Sequence, residues 1–336
     1  MLKYMWIYKR VEEFALKKIW KVLLIIVLGL GLFWGVVNII PAYEVVETNT
    51  WRKEDKVLIS AHRGGAELNP ENTKMAFDYV IKETTYSDII EIDVWMTSDN
   101  VLVITHDETI NRVAGIEDKD PVYIEQHTYA ELSQYNLGAY FVTRDNKTPY
   151  KDLSTTEAEN LGLTIMTFDD FLADYNNVRD FRVFIEIKTK KDNYVDAVEY
   201  VEKLMAKDEN SWWRDRYMYI SFNSNVYKYT LENYPDIYVA GMGFGMAGQL
   251  IGAKLGLDSL FKSKYHSIQT SMITKVGPLK INCATKRFVN AAHKRNQTVA
   301  YWTINDEADM QKLIDIDADI ITTNAPDKLA RLIGKI

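Results

Sequence analysis

Two histidines and three carboxylates stand at the ends of short apolar runs between positions 57 and 188. Residues 57–61 and 101–105 have strand length and are apolar enough for burial on both faces. They lead into His62-Arg63-Gly64 and His106-Asp107. Polar groups at the exit of a buried strand are costly unless they are paired or bind something. In Ile89-Ile-Glu-Ile-Asp-Val94, strand alternation puts Glu91 and Asp93 on one face, and Phe184-Ile-Glu-Ile-Lys188 repeats the device with Glu186 and Lys188. Three carboxylates converging at one end of a sheet would form an all-oxygen site for one divalent cation, Mg²⁺ or Ca²⁺. Without a cation they would repel and raise a pKa, a conflict that Lys188 relieves in part. A salt-bridge cluster closing the end of the sheet is the structural alternative. His62 and His106, at equivalent strand ends beside carboxylates, suit general acid and base work near neutral pH. Asp107 would orient His106 or reach the metal shell. His127, His266 and His293 lack that context and read as structural.

The elements that position these residues alternate between strand and helix. Strands are expected at 57–61, 88–95, 101–105, 182–188, 217–222, 237–242, 266–270, 298–304 and 319–323. Helices are expected from 72, from 167, at 194–205, up to 234, at 286–296 and at 308–316. Such alternation makes a parallel sheet with right-handed crossovers, and at this length a closed TIM (β/α)₈-type barrel. Nine strands are one too many, and no helix fits between the second and the third. Residues 110–165 are polar and irregular, with short helical hints at 128–133 and 157–161, and read as an insertion after the third strand.

Together, His62-Arg63-Gly64, Pro70-Glu-Asn-Thr73, Glu91-x-Asp93, His106-Asp107, Glu186-x-Lys188, Ser221-Phe222 and Tyr301-Trp-Thr-Ile-Asn305 resemble, in kind and order, the glycerophosphodiester phosphodiesterases. The resemblance covers roughly residues 57–330. It implies a TIM barrel that hydrolyses glycerophosphodiesters to sn-glycerol 3-phosphate and an alcohol. It also implies a divalent ion held by Glu91, Asp93 and Glu186, and His62 and His106 as the acid–base pair. Arg63 and Lys188 would contact the substrate phosphate and Trp302 the substrate wall, and the 110–165 segment would be the family's insertion. Two departures stand out. Asn324 occupies a position where family members commonly carry Asp, and Leu68-Asn69 is bulkier than the small residues usual there.

The chain has 336 residues and a formal net charge of −7. Six Lys/Arg against two Glu make residues 1–21 a basic segment of +4, which leaves −11 for the rest. An acidic body argues against a nucleic-acid partner, and the single cysteine, Cys283, excludes an internal disulfide framework. No protein partner is predicted. Residues 22–40 carry no charge over 19 positions, enough to cross a bilayer as one transmembrane helix. A cleaved signal peptide fits less well, because its apolar region is shorter and ends in small residues. Basic residues on the N-terminal side place the N-terminus in the cytoplasm and the catalytic domain outside. The layout expected is a cytoplasmic segment (1–21), a membrane helix (22–40), a polar tether (41–56) and the barrel (57–336). The implied partners are then the membrane and a glycerophosphodiester or lysophospholipid substrate. Gly243-Phe-Gly-Met-Ala-Gly248 fits a dinucleotide fingerprint but lacks the acid about 20 residues on. Gly248, Gly252 and Gly256 read instead as a tightly packed helix, or as an apolar loop of the active face that meets the bilayer or an acyl chain. The competing functions are a phospholipase of the C or D type, and a barrel that binds glycerophosphate without catalysis.

Overall fold

The computed structural model describes residues 2–336 apart from positions 42, 46, 47, 54, 55, 118, 189–192 and 243–245. Its strands, in chain order, are β1 (Leu58–Ala61), β2 (Ile89–Met96), β3 (Leu102–Ile104), β4 (Met166–Thr167), β5 (Arg182–Ile187), β6 (Tyr217–Ile220), β7 (Tyr238–Gly241), β8 (Ser267–Thr270), β9 (Ile273–Val276), β10 (Leu279–Asn282), β11 (Thr298–Tyr301) and β12 (Ile320–Thr323). Parallel ladders run β1-β12-β11-β8-β7-β6-β5-β2, and β1 pairs with β2 to close an eight-stranded barrel of the TIM type. The surplus ninth strand is the one at 101–105. It appears as β3, antiparallel to β2. Residues 97–100 form a turn too short for the crossover that a parallel pair needs, so the chain can only fold straight back.

Several helices stand where the periodicity puts them, including Tyr194–Met205 and Glu307–Asp315. Thr167 caps Phe168–Tyr175, its hydroxyl accepting from the Asp170 N–H. One expectation is corrected. The helix expected to begin at Asn72 begins at Lys74, capped by Thr73, because Asn72 sits at a φ of 55° and turns its side chain elsewhere. The β9–β10 hairpin and the helix Pro326–Leu332 were not foreseen. The 110–165 region carries short helices at Asn111–Ala114, Tyr129–Leu132 and Thr155–Asn160. A cluster of its own, including Ile110, Val113, Ile124 and Leu132, packs on Trp95 and Val103.

Gly243–Gly245, the first half of the glycine-rich motif, lies outside the described residues. Ala247–Leu255 is a helix. A Cβ at Gly252 would come within 2.5 Å of the Phe261 ring, so the glycine there answers to close packing. At the N-terminus a single helix spans Leu2–Ile39. Among the described residues, its Phe14–Ile39 portion is the one helix long and apolar enough to cross a membrane.

The chain between that helix and β1 is fastened to the barrel. Asn49 donates from Nδ2 to the carbonyls of His266 and Asn296, just ahead of β8 and β11. Arg182, at the start of β5, donates to the Thr50 carbonyl at 2.7 Å. Trp51 is fully buried and stacks on Phe184, with centroids 5.3 Å apart. Phe184 is two residues before Glu186 on the same face of β5, so Trp51 forms the floor of the column that Glu186 tops.

Candidate active site

The register of β2 and β5 sets Asp93 opposite Glu186. Glu91, Asp93 and Glu186 each offer a carboxylate oxygen within 4.8 Å of the others, and all three are buried. Burial together with Asp93 and Glu186 pushes Glu91 well above the ordinary carboxylate range. Burial and Asp93 also raise Glu186. Asp93 goes the other way: burial would raise it, but Lys188 and Arg63 outweigh that and hold it low. Asn72 Oδ1 is buried without a hydrogen-bond partner, and Asp93 Oδ1 has only the Lys188 ammonium at 3.4 Å. Buried oxygens are seldom left so. Hard oxygen donors, an excess of negative charge and an orphaned oxygen together fit a divalent cation.

The strap after β1 shapes this site from above. Arg63 stands at a φ of 52° and donates its backbone N–H to Glu91 Oε2 at 2.8 Å. Its guanidinium lies 3.5 Å from Asp93 Oδ2 and donates to Glu71 at 2.9 Å. Lys188 Nζ is 2.8 Å from Glu186 Oε1 and 3.4 Å from Asp93 Oδ1. The two cations neutralise part of the triad.

His62 and His106 flank the carboxylates. His62 Nδ1–H donates to Asn324 Oδ1 at 2.6 Å, which fixes the ring and turns Nε2 toward Glu91, 3.9 Å away. The amide at 324 therefore keeps the orienting bond that a carboxylate would make. Burial, with the Arg63 charge, lowers the His62 pKa to about 4. His106 Nδ1 bonds Asp107 Oδ1 at 2.7 Å. Asp107 in turn accepts from Arg112 Nε at 2.7 Å, and Arg112 grips Glu71 with both terminal nitrogens. Burial would raise the Asp107 pKa, but the His106 hydrogen bond and Arg112 bring it down to about 2. A continuous chain of bonds thus runs from His106 through Asp107, Arg112 and Glu71 to Arg63.

Trp302 packs edge-on against Phe222, with centroids 5.5 Å apart, and the two border a cavity of about 180 Å³ with Met246 and Leu250. His62 and Arg63 thus follow β1, Glu91 and Asp93 lie within β2, His106 follows β3, Glu186 and Lys188 stand at the end of β5, and Trp302 follows β11 directly. Other histidines serve the frame: His293 bonds Asp319, and His266 Nδ1 accepts from the Val239 N–H.

Four residues of this network were not picked out by residue spacing. Asn72 donates from Nδ2 to Asp93 Oδ2 at 2.9 Å. Glu71 and Arg112 link the two halves of the site, and Asn324 holds His62. For Asn72 a signal existed, since an Asn tolerates the left-handed backbone that this turn requires. For Arg112 there was none, because nothing local to it marks a partner 41 positions away.

The glycerophosphoryl diester phosphodiesterase family model matches residues 62–328. The glycerophosphodiester phosphodiesterase of Caldanaerobacter subterraneus subsp. tengcongensis is 27% identical, over 83% of this chain and 99% of that one. Among solved structures, the glycerophosphoryl diester phosphodiesterase domain of an uncharacterized Mycobacterium tuberculosis protein superposes with a TM-score of 0.65 at 15% identity, covering 84% of this chain and 100% of that one. A phosphodiesterase of Oleispira antarctica, solved with the product sn-glycerol-3-phosphate, gives 0.58 at 18% identity, covering 82% and 96%. The family match spans most of the chain and coincides with the barrel and its carboxylate cluster; the chain belongs to the glycerophosphoryl diester phosphodiesterase family, a family of phosphodiester-hydrolysing enzymes.

Proposed function

We propose that this chain hydrolyses glycerophosphodiesters to sn-glycerol 3-phosphate and an alcohol, with His62 and His106 as the acid–base pair. The observation that carries the reading is the convergence of Glu91, Asp93 and Glu186 between two cationic side chains and two oriented imidazoles. These three carboxylates would hold one divalent cation, which when bound supplies charge neutralisation and polarises a phosphoryl oxygen. Arg63 and Lys188 bind the phosphate; Glu71 and Asp93 hold the planar fork of Arg63 beside the triad for that contact. Charge on the phosphorane-like transition state is met by groups already in place, with little reorganisation. One imidazole Nε2 takes the proton of the nucleophile, either water or a neighbouring hydroxyl of the substrate. The other gives a proton to the departing alcohol oxygen. Asn324 and Asp107 each hold one ring through Nδ1, which leaves both Nε2 atoms for proton transfer. Trp302 and Phe222 wall the side on which the rest of the substrate lies.

The reading extends to location. The basic segment 1–21 would lie in the cytoplasm, 22–40 would span the membrane, and 57–336 would work outside it, where deacylated phospholipids, lysophospholipids or glycerophosphate polymers are met. The test is an assay of the full chain in detergent against glycerophosphocholine with Mg²⁺, Ca²⁺ or a chelator. Chelator should abolish turnover, one of the two ions should restore it, and sn-glycerol 3-phosphate should be the product. Undiminished turnover in chelator would sink the metal assignment. Glycerol cyclic phosphate as end product would favour the phospholipase D reading, and phosphocholine the phospholipase C reading.

Asn72 offers a further check. Removing its amide with Asn72→Ala frees Asp93 Oδ2 and should weaken the cation by about 10–100-fold, the usual cost of losing a partner that orients a ligand. The measurement is the concentration of divalent ion that gives half-maximal activity. An unchanged value would mean that Asp93 is held by other means.

A further inference from the structure

Among the described residues, the N-terminal helix hydrogen-bonds the barrel at a single place. Trp34 Nε1 donates to the Leu255 carbonyl at 3.1 Å, Asn38 Nδ2 to the Gly256 carbonyl at 3.1 Å, and Ser259 Oγ to the Val37 carbonyl at 2.7 Å. Val37 is 2% exposed, whereas residues 14–34 are exposed throughout. Among the described side chains, the helix therefore touches the barrel through its last two turns and is exposed over residues 14–34.

The partner in that contact is the far end of Ala247–Leu255 from the active site. This helix follows β7, so it starts at the C-terminal face of the barrel and runs back toward the N-terminal face. At its start, Met246 lines the cavity shared with Trp302 and Phe222. At its end, Leu255 and Gly256 hold the N-terminal helix. Nine residues of helix put about 13 Å between the two. Segment 49–52 is fixed to the same N-terminal face through Asn49, Thr50 and Trp51. Two separate attachments thus clamp the chain leaving the helix onto the face opposite the catalytic residues.

The surface around the clamp has the make-up of a bilayer contact. Leu255 and Leu260 are 53% and 51% exposed. Lys254, Lys262 and Lys264 are exposed beside them, and Lys262 Nζ lies 5.8 Å from the Tyr43 ring centroid. On a body that is acidic overall, a local group of lysines and leucines at the root of an apolar helix complements anionic headgroups and the acyl boundary beneath them.

We infer that the barrel stands on the bilayer through its N-terminal face, with the catalytic mouth turned to the aqueous side, so that the enzyme acts on phosphodiesters presented from water rather than on lipids of the leaflet that holds it. The inference rests on the reading of residues 22–40 as a membrane span and of the carboxylate cluster as the active site. An enzyme and substrate sharing a membrane ordinarily gain from a raised effective concentration, and the gain vanishes where geometry forbids engagement.

The test uses the full chain reconstituted in vesicles that contain phosphatidylglycerol. A fluorophore is placed by Lys262→Cys beside the clamp, or by Asn225→Cys on the exposed first turn after β6, at the mouth. The native Cys283 is buried. Headgroup-labelled nitroxide lipid should quench the label at 262 strongly and leave that at 225 bright; equal or reversed quenching overturns the orientation. In a second arm, a long-chain lysophospholipid is supplied either in the enzyme's own vesicles or in separate ones. Equal rates support the inference, while an advantage on the order of 10²-fold for the shared vesicles overturns it. Failure of the chain to float with the vesicles overturns the membrane reading itself. Loss of turnover on a soluble glycerophosphodiester overturns the catalytic reading, and the quenching arm still reports orientation.

Discussion

His62→Ala lowers kcat on glycerophosphocholine by about 10²–10⁴-fold, the range expected for loss of a positioned proton-transfer group, and leaves the fold intact. The side chain is held by one hydrogen bond to Asn324 and lies among the polar groups of the site rather than in the apolar core, so its removal costs chemistry more than stability. His106→Ala falls in the same range, since His106 is fixed from one side by Asp107 and presents Nε2 to the other. A diester with a p-nitrophenol leaving group separates the two roles. Its departing oxygen needs no protonation, so the variant that recovers activity on it has lost the acid. The unrecovered variant has lost the base. Full activity of either alanine variant on glycerophosphocholine would remove that histidine from the mechanism. Circular dichroism and the urea midpoint of each variant show whether a loss is chemical.

The second large effect is on stability. Trp51→Ala destabilises the barrel by about 3–5 kcal/mol, as buried Trp and Phe truncations do. Trp51 is fully buried, stacks on Phe184 within 9° of parallel and touches Tyr238 at a centroid distance of 6.3 Å. Its loss opens a void under the interior column that supports Glu186. At a urea dependence of up to about 3 kcal/mol per molar, the midpoint should fall by more than about 1 M. Trp51→Phe should recover part of that through the retained stacking. A chain cut to begin at Lys56 should lose stability comparably, and one that begins at Tyr43 should not. An unaltered midpoint for Trp51→Ala would mean that residues 49–52 are only appended to the barrel.

Much of the site is written locally. A strand's period of two puts Glu91 and Asp93 on one face, and repeats the pattern at Glu186 and Lys188. That pattern needs no knowledge of the rest of the chain. The same holds for the eight parallel strands and for helices such as Tyr194–Met205, whose apolar spacing agrees with the final packing. The ninth strand shows where local reading stops. Residues 101–105 have every property of a barrel strand, and the length of the turn before them, set against the ladder geometry, makes them an antiparallel flank. Glu71, Asn72 and Asn324 come from loops and Arg112 from the four-residue helix Asn111–Ala114, where no periodicity points to a partner. Trp51 is one aromatic in a polar stretch that reads as a tether, and its burial depends on strands far along the chain.

The sequence by itself determined the barrel, its family, the metal-type carboxylates and the apolar N-terminal helix, because each is recorded in local spacing or in a run of like residues. Tertiary structure alone decided which strand stays outside the ring, which loop residues brace the histidines, and which face of the barrel the N-terminal helix meets. Those outcomes depend on closure of the ring, which brings together residues as distant as His62 and Asn324. No local free-energy preference encodes such contacts; they become favourable once the barrel has already fixed both partners.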